Sequence, residues 1–260
     1  MDDSKEVLRT LTGKKNIVFT SRGNTSILAT LKYAKNKGYN TILIQDQGGW
    51  MTYPQYISRL KLNEVRLTTN YGLINLDELK NYKDVVLLVN SMAGYCALHD
   101  MKAIADICKK NKIFLINDVS GSIGTDQAQY GDLIFGSFGK WKPINLHDGA
   151  FIAMNGETEF FTEYEYEVKE KELFEKLSTL DYKLKFYEVI NHKIKAELKG
   201  FDIVHKSQSG INVIVKFKDE AEKKTLIDYC VKHHYEFVEC PKYIRVTKNA
   251  ISIEVKRLDK

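Results

Sequence analysis

The sequence predicts an α/β fold: a mostly parallel sheet flanked by helices, followed by a small α+β domain in the C-terminal part. Three observations carry this expectation. Short apolar runs rich in Val, Ile and Leu alternate with helix-period segments through the first part of the chain. Two of these runs, DVVLLVNS (84–91) and KIFLIND (112–118), are continuously apolar, as strands covered on both faces are. Near residue 155 the pattern changes to a long polar helical stretch and then to strands of alternating character.

The elements follow in order. NIVFTS (16–21) reads as the first strand, and the segment after it, GNTSILATLKYAKNKGY, places Ile27, Leu28, Leu31 and Ala34 at helical spacing. TILIQD (41–46) is the second strand, YPQYISRLKL a helix, EVRLTT (64–69) a short strand and LINLDELKNY a capped helix. MKAIADICKKN is the helix between the two buried strands, and DLIFGSF (132–138) is a further strand ahead of the apolar run AFIAM. From Glu157 to Leu198 the pattern is helical, with Leu173, Leu177, Leu180 and Leu184 on one side. INVIVKF (211–217) alternates, DEAEKKTLIDYCVKHH is a helix, and YEFVEC, YIRVT and AISIEVKRL read as short strands. The expected division is a large α/β domain over 1–155 and a helical link with a small α+β domain over 156–260.

Composition narrows the classes of function. With 260 residues, 43% hydrophobic and 28% charged, the chain can bury a sizeable core. Its 39 basic against 34 acidic residues leave a net charge of +5, too small and too dispersed to point to nucleic acid. Cys96, Cys108, Cys230 and Cys240 are widely spaced without a CxxC pair, so neither a zinc site nor a disulfide framework is expected. The expected compartment is the reducing cytoplasm. MDDSKEVLRTLTGKKN has no apolar signal core, no run approaches a membrane span, and no membrane partner is expected.

In a doubly wound sheet, ligands bind outside the carboxyl ends of the strands. The first strand ends in SRGNTS, where Gly23 permits close backbone approach and Asn24, Thr25 and Ser26 start a helix. That arrangement favours an anion, although plain N-capping uses the same residues. The second strand ends in QDQGGWMTY, which puts Trp50 on a turn as either a ligand-stacking plate or a packing residue. The strand KIFLIND ends in Asp118, a buried carboxylate that requires a partner. Ser137 closes the next strand, and SFGKWKPINLHDG then supplies Lys140 and Lys142. An anion cradle, an aromatic plate, a carboxylate and a lysine together suit pyridoxal 5'-phosphate. That cofactor needs its phosphate held, its ring stacked, its pyridinium nitrogen paired and its aldehyde bound to a lysine.

The same segments resemble the DegT/StrS-type aminotransferase family, within the fold-type I pyridoxal phosphate enzymes. VFTSRGNTSI is similar to that family's phosphate segment, and LLVNSMAGYCALHDMKAIADICKKNKIFLINDVSGSIG to its strand, helix and strand ending in the pyridine-binding Asp. GDLIFGSFGKWKPINLHDGAFIAMN resembles its Ser-Phe…Lys…Gly-Gly segment, and LFEKLSTLDYKLKFYEVINHKIKAELKGF its helical link. The resemblance implies that Asp118 pairs with the pyridine nitrogen, that Ser137 and Thr25 touch the phosphate, and that Trp50 stacks on the ring. A lysine three residues after the serine, as in many fold-type I enzymes, selects Lys140. The DegT-like spacing of five selects Lys142, which is favoured, with Lys140 then adding positive charge for phosphate or substrate. Solvated turn lysines are the plain alternative.

Three departures stand against the family pattern. Gly121 occupies the position, three after the Asp, where the family has a Gln or His on the ring hydroxyl, leaving Ser120 or Ser122 as substitutes. Ala150 replaces the second glycine, and the chain is shorter than the family norm. Arg245 in YIRVT stands where many fold-type I enzymes hold a substrate carboxylate, or is a surface arginine on an edge strand. The expected function is amino transfer between an amino acid donor and a keto acceptor, possibly sugar-type, by a homodimer without a metal. The alternatives are a dehydratase or lyase using the same residues, and a non-catalytic scaffold or heteromeric partner that keeps the fold.

Overall fold

The computed structural model describes residues 3–258. Its first helix, α1 (Ser4–Thr12), starts at Asp3, whose carboxylate accepts from the N–H groups of Lys5 and Glu6, and stops at Gly13 with φ +65°. Seven strands then build the large sheet: β1 (Asn16–Thr20), β2 (Thr41–Gln45), β3 (Asn63–Leu67), β4 (Val86–Asn90), β5 (Phe114–Asp118), β6 (Leu133–Ser137) and β7 (Ala150–Met154). Their order is β1-β7-β6-β5-β4-β2-β3, and only β7 runs antiparallel to its neighbours. The mostly parallel sheet expected from the apolar runs is therefore present.

Helices cover both faces of this sheet. On one side α2 (Gly23–Asn36) and α3 (Tyr53–Arg59) place Ile27, Leu31 and Ile57 against Val18, Ile42, Ile44, Phe135 and Ile152. On the other, α4 (Met101–Asn111) packs Ile104 and Cys108 on Leu43, Leu87 and Leu115. Strand order reverses between β2 and β4, so the carboxyl ends of β1, β2, β4, β5 and β6 face one crevice.

The second part holds α5 (Glu170–Ser178), α6 (Leu180–Glu197) and α7 (Glu220–Lys232). Its antiparallel sheet has strands β8 (Asp202–Ile203), β9 (Val213–Lys216), β10 (Phe237–Cys240) and β11 (Ala250–Ile253), in the order β8-β9-β11-β10. Tyr187, Ile194, Leu226 and Cys230 pack on Val213, Val215, Ile251 and Ile253 to form its core.

Three expectations need correction. The helical stretch over 157–198 is broken into a 3-10 turn (Glu159–Tyr164), α5 and α6. Phe161 of that turn is fully buried and stacks on Tyr33 of α2 at 5.2 Å, so aromatic packing overrides helical periodicity there. Val168, Leu173, Leu177 and Leu180 join the core of the large sheet, which carries its packing beyond residue 155. YIRVT is a loop, not a strand: Lys242 N donates to Val246 O and Arg245 N to Lys242 O. Adjacent Arg245 and Val246 are both buried, which a one-faced strand does not allow. Finally, the LINLDELKNY helix is a single turn (Leu76–Leu79) capped by Asn75.

Candidate active site

At the crevice, a cavity of about 200 Å³ is lined by Arg22, Gly23, Asn24, Trp50, Asp118, Ser120, Ser137 and Lys142, together with the apolar Ile27 and Phe135. Each group arrives from the carboxyl end of a strand. β1 runs into α2 through Arg22, which is extended (φ −168°) and offers no side-chain cap to the helix. The first-turn N–H groups of α2 are thus left without a capping side chain. The hydroxyl of Thr25 pairs with Ser21 at 2.9 Å, and that of Ser26 with Thr20 at 2.7 Å. These hydroxyls hold the turn, and Thr25, expected at the phosphate, is not among the residues lining the cavity.

Gly23 lies so close to β6 that a Cβ there would stand 2.9 Å from Ser137 Cβ and 3.1 Å from its Oγ. Ser137 Oγ accepts from Gly139 N at 3.1 Å, while Ser137 N donates to Ser120 Oγ at 3.0 Å. Ser120 thereby ties the end of β6 to the turn after β5. The amide oxygen of Asn24 accepts from Trp50 Nε1 and from Thr52 Oγ1, both at 3.1 Å. Asn24, expected at the anion, uses that side-chain oxygen to aim the indole.

Asp118 is 5% exposed, and its neighbours are donors. Ser120 N donates to Oδ1 at 2.9 Å, and the phenol of Tyr53 donates to Oδ2 at 2.5 Å. Burial, and then the nearby Asp118 charge, push the Tyr53 hydroxyl well above its ordinary value, so it remains a donor. Tyr53 was visible in the sequence only as an aromatic near Trp50. Nothing in the spacing pairs it with a strand end 65 residues away.

The two lysines part company. Lys142 is 9% exposed; its Nζ lies 4.5 Å from the centroid of the Trp50 ring, and it donates to the hydroxyl of Tyr95. Lys140 is exposed, sits over Trp141 at 4.5 Å and does not line the cavity. Trp141 between them has φ +62°, held by a 2.7 Å bond from its N–H to Asn145 Oδ1. That left-handed residue turns the two side chains to different environments. Lys140, expected as a second catalytic group, is an exposed side chain outside the cavity lining.

Arg245 is neither exposed nor free. It is 3% exposed, donates from Nε and Nη2 to the two oxygens of Glu254 at 2.9 and 2.7 Å, and from Nη1 to Ile244 O at 2.8 Å. Its guanidinium is committed, so the expected role as a substrate-carboxylate receptor is not the one its contacts serve. Lys256 Nζ joins the same carboxylate at 3.0 Å. Burial opposes ionisation of Glu254, but Lys256 and Arg245 hold its carboxyl well below the usual range. Burial, followed by the neighbouring Arg245, lowers Lys256 well below an ordinary lysine. Tyr95, Glu254 and Lys256 carried no signal in the sequence beyond ordinary strand and turn patterning. Among the described residues, no cluster of side chains suits a metal ion.

The sequence profile of the DegT/DnrJ/EryC1/StrS aminotransferase family matches residues 4–172, and that of the MJ1341 family C-terminal domain matches residues 180–260. No curated protein matches the chain in sequence. Among solved structures, the chain is similar to a DegT DnrJ EryC1 StrS aminotransferase from Brucella abortus, with 13% identity and a TM-score of 0.75. That likeness covers 96% of this chain and 83% of the other. It is similar to 3-amino-5-hydroxybenzoic acid synthase, with 14% identity and a TM-score of 0.72 over 98% of this chain and 86% of the other. It also resembles NtdA from Bacillus subtilis with bound cofactor PMP, at 16% identity and a TM-score of 0.73, covering 96% and 71%. The fold is thus that of the fold-type I pyridoxal phosphate-dependent transferases. The chain belongs to the DegT/DnrJ/EryC1/StrS aminotransferase family, whose cofactor is pyridoxal phosphate.

Proposed function

We propose that the chain moves an amino group from an amino acid donor to a keto acceptor on pyridoxal phosphate, with Lys142 as the amine that joins the cofactor. One observation carries this reading: the uncapped start of α2, Trp50, Asp118 and the buried Lys142 all border one cavity. The absence of a side chain at Gly23 lets the main chain at the helix start come close to an anion. The first-turn N–H groups and Ser137 would hold the phosphate, with Arg22 exposed at the rim. Trp50, aimed by Asn24, would cover the ring. Asp118 keeps lone pairs for a ring nitrogen even while Tyr53 and Ser120 donate to it.

When bound, the cofactor supplies an electron sink that acidifies the proton on the substrate's α-carbon. Lys142 is the base within the cavity wall for taking that proton and returning it. Trp50 and Ile27, both in the cavity lining, would reduce the room left for water there. The same reading makes the protein a homodimer. Four buried free thiols support a reducing compartment.

The test is spectral. Purified protein mixed with pyridoxal phosphate should develop a visible absorbance band that an amino acid donor removes and a keto acid restores. A band indifferent to every amino acid offered would sink the transfer reading.

A further inference from the structure

Tyr95, the hydrogen-bond partner of Lys142, has no place in the reading above. Its ring is 2% exposed and lies behind the lysine, outside the cavity lining. Several groups fix it. Lys142 Nζ is 4.6 Å from the ring centroid and donates to the hydroxyl. Lys256 Nζ stands 3.8 Å from the same centroid, and Arg245 Cζ 5.0 Å. Glu254 pins both cations, at 3.0 Å from Lys256 and 2.7 Å from Arg245. Gly121 closes another side, since a Cβ there would lie 2.8 Å from Tyr95 Cδ1 and 3.0 Å from Cε1. The ring cannot swing away without disturbing a buried ion-paired array.

We propose that Tyr95 is the positioning residue for the Lys142 amine: its hydroxyl holds Nζ at the cavity wall, and the Lys256–Glu254–Arg245 array fixes the ring that carries it. The proposal rests on the reading that Lys142 joins the cofactor. A lysine side chain has a flexible four-carbon stem rich in rotamers, so an untethered amine visits many positions. A phenol suits the task because its oxygen accepts from an ammonium and its O–H donates to a neutral amine. It holds the nitrogen in either state. Gly121 gains a physical reason here, since any side chain at that position would displace the ring.

The measurement is the rate at which pyridoxal phosphate attaches to Lys142, amine and aldehyde condensing with loss of one water, followed by absorbance. Four proteins are compared: wild type, Y95F, K142A and Y95F/K142A. Phenylalanine keeps the ring against Lys256 and Arg245 and removes only the hydroxyl. Y95F should slow attachment about tenfold, the scale of a hydrogen bond to a charged group. In the K142A background it should change cofactor affinity, read by tryptophan quenching, by less than about twofold, because Tyr95 acts through the lysine. Gly121→Ala, which pushes the ring aside, should slow attachment alike and add nothing to Y95F; it carries the test if Y95F does not fold. Attachment at the wild-type rate in the folded variants overturns the proposal, as does an equal loss of affinity in both lysine backgrounds. A wild-type protein that never links the cofactor overturns the reading of Lys142 itself, and the proposal with it.

Discussion

Tyr53 donates its phenolic hydrogen to Asp118 Oδ2 at 2.5 Å from a ring with no exposed surface, linking the start of α3 to the end of β5. This bond stabilises a carboxylate that the sequence places at the end of a buried strand, where it requires a partner. Tyr53→Phe leaves one side of Asp118 without its donor. The variant should lose about 1–3 kcal/mol of stability in urea melts and bind pyridoxal phosphate more weakly than wild type. Unchanged stability and affinity would show that the contact is incidental.

Gly23 brings the start of α2 up against Ser137 at the end of β6. Gly23→Ala introduces a Cβ 2.9 Å from that of Ser137, and one of the two backbones must shift. A misplacement on the order of 1 Å at such a site lowers rates by about a hundredfold. The expected result is a sharp fall in cofactor affinity with a far-UV spectrum like that of wild type. Equilibrium dialysis against pyridoxal phosphate reads the first, and circular dichroism the second.

Glu254 is the sole carboxylate paired with Arg245 and Lys256 among the described residues. Glu254→Gln leaves both buried cations without their counter-charge. Breaking a buried ion pair from one side costs about 3–5 kcal/mol, and the urea midpoint should fall accordingly. A small change would mean that water reaches the array.

His99 sets an acid limit on stability. It is 4% exposed, and burial lowers its imidazole from an ordinary 6.5 to about 3. Its Nε2 lies 3.2 Å from Gln45 Nε2, and Gln45 Oε1 accepts from Asn90 N at 2.8 Å, tying the ends of β2 and β4. The unfolded chain takes up a proton below 6.5 while the folded chain does not. The contribution is therefore complete above pH 6.5 and is lost progressively as pH falls toward 3. At pH 5 the loss relative to pH 7 should be about 2 kcal/mol, and His99→Gln should flatten it. An identical slope in the variant would assign the acid sensitivity to another group.

Much of this architecture can be read from the chain itself. Continuous apolar runs mark strands buried on both faces, and the polar residue ending each one, Asp118 or Ser137, lies at the crevice because parallel strands share a carboxyl edge. What cannot be read depends on contacts between distant segments. Tyr53 meets Asp118 across 65 residues, and Lys142 meets Tyr95 across 47. The choice between Lys140 and Lys142 turns on a left-handed backbone at Trp141, which no residue-type preference announces. YIRVT has the composition of a strand, yet the pairing of Arg245 with Glu254 draws a charged residue inward and breaks the alternation. Gly121 reads in sequence as a lost contact, whereas in the fold the Tyr95 ring lies against it.

The central claim is that Lys142, and not Lys140, carries the cofactor. Its most direct test is to load the protein with pyridoxal phosphate, reduce with borohydride, digest, and locate the modified residue by mass spectrometry. The account predicts one phosphopyridoxyl group, on Lys142, lost in Lys142→Ala and retained in Lys140→Ala. A label on Lys140, or one that survives Lys142→Ala at full yield, would contradict it.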